Sequence, residues 1–204
     1  MQSPHDVTRA FEAALCEYTG ASYAVTTTSC TQAILMALAW WKRQPDQGDK
    51  VWISMPRYSY VGVPASIISA GYRPAFRDED WAGEYQLRPL PVWDSARCFT
   101  SNMYRTGVMQ CVSFHATKIL ADSQGGAILL DNAQAAAWLR RARFDGRTEG
   151  ADPKTDQVQY PSWHAYMSPD VAARLLWRLQ GLPRHNADLP RSDYPDLSAM
   201  EAFR

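Results

Sequence analysis

The feature that most constrains this fold is the alternation of helical and strand-like segments from the N-terminus to about residue 145. Segments with apolar residues at helical spacing alternate with short β-rich segments. The predicted helices begin near residues 6, 29, 61 and 133, and the predicted strands are residues 23–27, 51–53, 73–76, 90–93, 108–113 and 127–130. This alternation is typical of βαβ units, and it predicts an α/β fold with a mainly parallel central sheet flanked by helices. Such sheets bind ligands at the carboxyl ends of their strands.

The character of the sequence changes after Asp145-Gly146. Residues 147–160 are polar and show little periodicity, so we predict a boundary there. Residues 1–150 would form one large domain, and residues 151–204 would form a shortened C-terminal segment with one helix and an extended tail. Ser168 and Pro169 are suited to the first turn of that helix.

Composition excludes several classes of protein. Lys plus Arg and Asp plus Glu are 21 each, so no net charge attracts nucleic acid, although the local patch Arg140, Arg141, Arg143 and Arg147 keeps a nucleic-acid partner possible. The four cysteines form no C-x-x-C pair, so a metal site is not expected. We see neither a signal peptide nor an apolar run of about 20 residues, which predicts a cytoplasmic protein without a membrane anchor.

Three motifs carry residues with useful chemistry. Lys118 follows a β-segment and precedes a glycine pair, which suits a Schiff-base amine but is equally typical of a surface loop. Asp94 ends the apolar strand 90–93, where a carboxylate meets a ligand or simply forms a turn. Residues 27–31 open an amphipathic helix with hydroxyl groups, which suits either an anion site or an ordinary helix cap.

Taken in order, these motifs resemble one family, the DegT/DnrJ/EryC1/StrS sugar aminotransferases, which are pyridoxal-phosphate (PLP) enzymes of fold type I. The matching motifs are Phe11-Glu12, Tyr18-Thr19-Gly20, Ser29-Cys30-Thr31-Gln32-Ala33, Gly48-Asp49-Lys50-Val51, Pro56-Arg57-Tyr58-Ser59-Tyr60, Ala70-Gly71-Tyr72-Arg73-Pro74 with Asp78, and 113–118 with Gly125-Gly126. The resemblance implies a PLP-binding large domain and a much reduced C-terminal domain.

The resemblance also implies roles for individual residues. Lys118 would bind pyridoxal 5'-phosphate as a Schiff base and then move a proton between the substrate and the cofactor. Asp94 would pair with the pyridine nitrogen and keep it protonated. Tyr60 and Ala96 would contact the two faces of the ring.

Further residues would hold the cofactor's periphery. Ser113, Thr31 and the backbone N–H groups of Cys30 and Thr31 would bind the phosphate, and Arg97 would lie near the phenolic oxygen. His164 stands where the family has an asparagine that reaches the phosphate of the partner subunit.

Several features depart from the family pattern. Cys30 replaces a glycine, Arg97 replaces glutamine or histidine, and the span from Asp94 to Lys118 is shorter than usual. The chain also lacks the C-terminal domain that normally helps to form the substrate pocket.

Three functions therefore remain open at this point. The first is transfer of an amino group, from glutamate, to a keto group of a nucleotide-linked sugar. The second is other PLP chemistry, as in a decarboxylase or lyase acting on an amino acid or aminoacyl-nucleotide, and the third is a non-catalytic degenerate homologue. The resemblance implies a homodimer with a shared active site, in which His164 and the tail after Pro183 would reach the partner.

Overall fold

The computed structural model describes residues 3–45, 52–152 and 154–204, so the Gly48-Asp49-Lys50-Val51 motif and the predicted strand start at Val51 lie outside the described residues. The helices are α1 (Asp6–Thr19), α2 (Cys30–Lys42), α3 (Gly62–Ser69), α4 (Ala133–Ala142) and α5 (Pro169–Gln180). The strands are β1 (Tyr23–Thr27), β2 (Trp52–Pro56), β3 (Arg73–Arg77), β4 (Tyr85–Gln86), β5 (Val92–Asp94), β6 (Met109–Ser113) and β7 (Gly126–Leu130). Within the described residues, no helix is long and apolar enough to cross a membrane.

The strands form two adjoining sheets. A five-stranded sheet has the order β1-β7-β6-β5-β4, and β2 pairs with β3 in a second sheet. Ser54 in β2 exchanges backbone hydrogen bonds of 2.8 and 3.1 Å with Arg88, which lies just beyond β4. These bonds join the two sheets into one nearly continuous layer.

The expectation of a mainly parallel sheet is wrong for the five-stranded sheet. There β5 and β6 pair in parallel, whereas the β1–β7, β7–β6 and β5–β4 pairs are antiparallel. Only residues 87–91 connect β4 to β5, and such a short connection cannot hold the crossover that parallel neighbours need. By contrast, β2, α3 and β3 form the parallel βαβ unit that the sequence predicts.

Strand direction nevertheless favours a site at one edge. Since β7 runs opposite to both of its neighbours, β1 and β6 run in the same direction, and β5 follows β6. The carboxyl ends of β1, β5 and β6 therefore meet at one edge of the sheet, where β7 begins.

Alternating side chains divide the core into two layers. In β7, Ile128 and Leu130 face one buried cluster, whereas Ala127 and Leu129 face the other. The first cluster includes residues of α2, α3 and α4, and the second includes residues of α1 and α5. Helices thus cover both faces of the sheet, which matches the predicted α/β class.

Local signals explain where the helices begin and end. The Ser29 hydroxyl accepts a hydrogen bond of 3.2 Å from the backbone N–H of Gln32 and caps α2. Gly20 ends α1 in the left-handed conformation with φ of 81°. Ser168 and Pro169 begin α5 at the predicted position, and α1 begins at Asp6, also as predicted.

The C-terminal tail, residues 184–204, is less extended than the sequence suggests. It follows an extended path to Asp196 and then forms two short 3-10 turns, Leu197–Ala199 and Glu201–Phe203. Leu197 is fully buried in the first core cluster, and its N–H donates to the Arg57 carbonyl at 3.0 Å. The tail is therefore packed against its own chain.

Candidate functional site

A cavity of about 310 Å³ opens at the edge where β1, β5 and β6 end. Its size lies in the range of small-molecule sites. The lining residues are Ser29, Cys30, Thr31, Ile34, Tyr60, Val63, Trp81, Asp94, Ala96, Arg97, Ser113, His115, Thr117, Lys118, Gln124, Gly125, Ser192 and Tyr194. This set brings a lysine, a carboxylate and a helix N-terminus together in one space.

The N-terminus of α2 forms one side of the cavity. Ser29 accepts hydrogen bonds from the N–H groups of Gln32 and Ala33. The N–H groups of Cys30 and Thr31 have no partner within the helix. The hydroxyl groups of Ser113 and Thr31 line the same space. Free N–H groups, hydroxyl groups and the positive end of the helix dipole together suit a phosphate.

Gly126 lets β7 approach this helix start closely. A Cβ atom at Gly126 would lie 2.4 Å from the backbone nitrogen of Cys30 and 2.7 Å from the carbonyl oxygen of Ser29. Only a residue without a side chain fits in that gap. The glycine pair that the sequence analysis singled out therefore positions the anion site.

Asp94 lies at the end of β5 and is nearly fully buried. One carboxylate oxygen accepts a hydrogen bond of 2.7 Å from the Tyr85 hydroxyl, and the other accepts one of 3.0 Å from the Ala96 N–H. Burial raises the pKa of Asp94, while the Tyr85 hydroxyl, the Ala96 N–H and the positive charge of Lys118 act in the opposite direction. A carboxylate has about four acceptor positions, so Asp94 retains capacity for a ligand.

Cys30 places a thiol beside this carboxylate. Its Sγ lies 3.9 Å from the Oδ1 atom of Asp94 and 3.4 Å from the carbonyl oxygen of Cys111. Burial, reinforced by the charge of Asp94, raises the pKa of Cys30 well above its ordinary value. The side chain that replaces the family's glycine is thus a neutral, buried thiol.

Lys118 follows β6 on the other side of the cavity. Burial lowers the pKa of Lys118, and the nearby positive charge of Arg97 lowers it further, while Asp94 and Cys30 act in the opposite direction. A lowered pKa increases the share of neutral amine near pH 7, which is the nucleophilic form.

The C-terminal tail forms part of the cavity wall. Ser192 and Tyr194 line the cavity, and the ring centroids of Tyr60 and Tyr194 are 6.5 Å apart. At this stretch the tail therefore contributes to the cavity of its own chain, and its predicted contact with a partner subunit stays a prediction. Its buried anchor, Leu197, holds it against the site of its own chain.

Most of the predicted site residues converge on this cavity. The residues that line it are Lys118, Asp94, Ser113, Tyr60, Cys30, Thr31, Ala96 and Arg97. His164 lies elsewhere, where its Nδ1 is 2.8 Å from Asp145 and its side chain is 69% exposed. Its predicted role toward a partner subunit stays a prediction.

Sequence reasoning missed several residues of the site. Trp81 and Tyr85 lie in a polar stretch without a strong pattern, although Tyr85 donates the hydrogen bond that holds Asp94. Ser192 and Tyr194 gave no signal either, because a proline-rich tail has no periodicity that indicates where it packs. His115 lies within the lysine motif and Gln124 directly precedes the glycine pair, so both could have been included from their proximity to Lys118.

Comparisons with known proteins agree with this geometry. Over 87% of its length, the chain resembles the structure of PseC, an aminotransferase of Helicobacter pylori involved in pseudoaminic acid biosynthesis. The identity is 18% and the TM-score is 0.73. It also resembles AtS13 from Actinomadura melliaura (89% of this chain, 19% identity, TM-score 0.77) and the sugar aminotransferase CalS13 from Micromonospora echinospora (87%, 18% and 0.71). These matches share the fold, and the chain spans 58% of the first structure and 61% of each of the other two.

No curated protein sequence matches the chain. The sequence does match one family description, the DegT/DnrJ/EryC1/StrS aminotransferase family, over residues 3–93 and 94–189. That match extends over most of the chain and includes every residue that lines the cavity except Ser192 and Tyr194. The chain therefore belongs to the DegT/DnrJ/EryC1/StrS aminotransferase family.

Proposed function

We propose that this chain binds PLP in the cavity and transfers an amino group, from glutamate, to a keto group of a nucleotide-linked sugar or a similar substrate. The observation that carries the proposal is the convergence of Lys118 and Asp94 on one cavity that also contains the N-terminus of α2. Membership of an aminotransferase family supports the reaction class, and the sugar aminotransferase CalS13 among the similar structures supports the substrate class.

The residues present fit the cofactor. Its phosphate would bind the free N–H groups of Cys30 and Thr31 with the hydroxyl of Ser113. Its pyridine nitrogen would face Asp94, and its aldehyde would face Lys118. The donors at one end of the cavity and the carboxylate and amine elsewhere match the three polar groups of PLP.

PLP, when bound, supplies an electron-withdrawing ring that stabilises negative charge on the substrate carbon. Asp94 would orient the ring, and burial would strengthen its attraction to a protonated pyridine nitrogen. Lys118 would attach the cofactor and then hold and return the proton at the substrate carbon. Tyr85 would keep Asp94 in place through the hydrogen bond that its hydroxyl donates.

The remaining cavity residues would shape the ring site. Tyr60 would stack on one face of the ring and Ala96 would contact the other, since both line the cavity. Arg97 would lie near the phenolic oxygen. We further propose a homodimer in which His164 reaches the phosphate of the other subunit, because its side chain is exposed and points outside its own cavity.

The decisive experiment is an absorption spectrum of the purified protein with added PLP, followed by borohydride reduction and mass analysis. We expect a visible band and a cofactor adduct on Lys118. Both should be absent from Lys118→Ala and present in Lys154→Ala, which removes an exposed lysine as a matched control. A wild-type protein without a band or adduct would overturn the proposal and favour a non-catalytic homologue.

Substrate class needs a second measurement. The loaded protein should convert glutamate to 2-oxoglutarate only when a keto-sugar nucleotide is present to accept the amino group over repeated turnovers. Release of carbon dioxide or of an eliminated group from an amino acid, without amino transfer, would instead indicate decarboxylase or lyase chemistry.

A further inference from the structure

Arg97 is held at both ends of its backbone beside the cavity. Its N–H donates to the carbonyl oxygen of Gly83 at 3.0 Å, and its carbonyl oxygen accepts from the N–H of Leu189 at 2.9 Å. The second bond ties Arg97 to the C-terminal tail. The arginine therefore lies between the body of the domain and the tail, with its side chain lining the cavity.

The guanidinium group of Arg97 has more donors than it has hydrogen-bond partners. Its Nη1 donates to the Ser192 hydroxyl at 2.8 Å, while its Nε is buried without a hydrogen-bond partner. Within the described residues, no carboxylate lies within 4.0 Å of Arg97. A guanidinium carries five N–H donors, so donors other than the enclosed Nε and the one on Ser192 remain for a ligand in the cavity.

Charge around Arg97 favours an anion. Lys118 is the second cation of the cavity, and the positive charge of Arg97 acts on it. The carboxylate of Asp94 is already engaged by Tyr85 and Ala96. The guanidinium of Arg97 has no carboxylate partner among the described residues, so it attracts negatively charged groups that enter the cavity.

We propose that Arg97, oriented by Ser192 of the C-terminal tail, binds a carboxylate of the amino-acid substrate beside Lys118. This inference rests on the proposed function, because it assigns the donor's anion to a residue of the same site. An α-amino acid carries its carboxylate two bonds from its amine, so the group that binds the carboxylate has to lie near the lysine. The planar guanidinium matches a single carboxylate in a two-bond arrangement.

A carboxylate fits this position better than a nucleotide diphosphate does. One guanidinium neutralises one carboxylate, whereas a diphosphate carries at least two charges. The other arginine on this part of the tail, Arg191, lies outside the cavity lining, and its Nε is 3.0 Å from Asp80. Its charge is already balanced, so it adds nothing to a diphosphate site.

The tail makes the arrangement rigid. Leu189 pairs with both Gly83 and Arg97 on one side of Ser192, and buried Leu197 anchors the other side. Ser192 is therefore a positioning residue, since it acts on the ligand through Arg97. A preorganised cation loses little entropy when its ligand binds.

The test uses glutarate, a dicarboxylate without an amine, as a ligand that binds and does not react. Its Kd is measured by calorimetry on the PLP-loaded full chain. We expect Arg97→Gln to raise that Kd roughly 10- to 100-fold, because hydrogen bonds to charged groups are strong. Ser192→Ala should raise it about 2- to 10-fold, and Ser192→Thr, which keeps the hydroxyl, should restore it.

Two controls keep the outcome clear. Arg191→Gln removes the same charge from the tail outside the cavity, so it should leave the Kd for glutarate within about twofold. Each Kd is measured at full PLP loading, confirmed by the visible band, so that an effect of Arg97→Gln on the cofactor through the phenolic oxygen is separated from its effect on glutarate. A wild-type protein that has the band but does not bind glutarate would overturn this inference and leave the proposed function intact.

A final arm distinguishes the two anion chemistries. Uridine diphosphate replaces glutarate in the same titration of wild type and Arg97→Gln. If the substitution weakens binding of the diphosphate and leaves glutarate unaffected, Arg97 recognises phosphate and our assignment is wrong. The expected result is the reverse.

Discussion

A glycine can be required because its backbone is left-handed or because a side chain would clash with a neighbour. Gly126 is required for the second reason alone, since its backbone is not in the left-handed region. In Gly126→Ala the new Cβ would lie 2.4 Å from the Cys30 nitrogen, whereas ordinary contacts exceed about 3.4 Å. The first turn of α2 would therefore have to move by roughly 1 Å. Such overpacking costs about 1–3 kcal/mol, and loss of the Ser29 cap adds about 1 kcal/mol.

We therefore expect Gly126→Ala to lower the free energy of unfolding by about 2–4 kcal/mol, which corresponds to roughly 4–16 °C in Tm for a chain of this size. Urea unfolding and thermal melts of the cofactor-free protein measure both quantities. The affinity for PLP should fall as well, because the displaced N–H groups are those that would bind its phosphate.

Two other glycines provide matched controls. Gly71 has φ of +80° and no atom within 4 Å of an added Cβ, so Gly71→Ala tests backbone strain without a clash. Gly181 has φ of −96° and a nearest contact of 3.9 Å, so Gly181→Ala tests neither and should stay within about 0.5 kcal/mol of wild type. If Gly126→Ala has the same Tm as Gly181→Ala and still binds PLP, β7 does not approach α2 as closely as described.

Three further predictions concern charge and the tail. In the cofactor-free chain, acetic anhydride should label Lys118 with a pH midpoint below the ordinary lysine pKa of about 10.4, because burial and Arg97 lower the pKa of Lys118, and Arg97→Gln should raise that midpoint; a midpoint at or above the ordinary value by mass analysis would contradict this. Arg174 lowers the pKa of Asp122, so their contribution to stability is fully present above about pH 4 and is lost as the pH falls through the folded-state pKa. Arg174→Gln should accordingly lower the Tm more at pH 7 than at a pH acidic enough to protonate Asp122 in the folded protein, and an equal loss across the pH range would argue against the pair. Leu197→Ala should cost about 2–5 kcal/mol and expose the tail to protease, while Leu197→Met should cost less than about 1.5 kcal/mol; tail cleavage at the wild-type rate would refute the anchor.

The sequence predicted the helices and strands of this chain well where local chemistry determines them. Ser29 and Gly20 act through neighbouring backbone groups, so their positions alone indicate where α2 begins and α1 ends. Local patterns left the roles of Asp94 and Lys118 open, and their shared site was predicted from the resemblance to a family. Family resemblance added the ligand that local patterns left open.

Long-range features were not accessible in the same way. The apolar pattern of a strand is the same in either direction, so β7 gave no sign that it runs against its neighbours. Two-residue β4 is too short for any pattern to be recognised. Ser192 contacts Arg97 across 95 residues of sequence, and no local preference encodes that contact.

Pairing of β1 with β7 has a consequence for the rate at which this chain folds. Tyr23 lies opposite Leu130, so about a hundred residues have to be closed into a loop before this ladder forms, and chains rich in such pairings fold slowly. Ser29 bridges Gly125 at the end of the same ladder, so the anion site arises in the step that closes the loop. A transition state that precedes this step cannot bind phosphate, because the anion site has not yet formed. Inorganic phosphate should then slow unfolding while leaving the refolding rate unchanged.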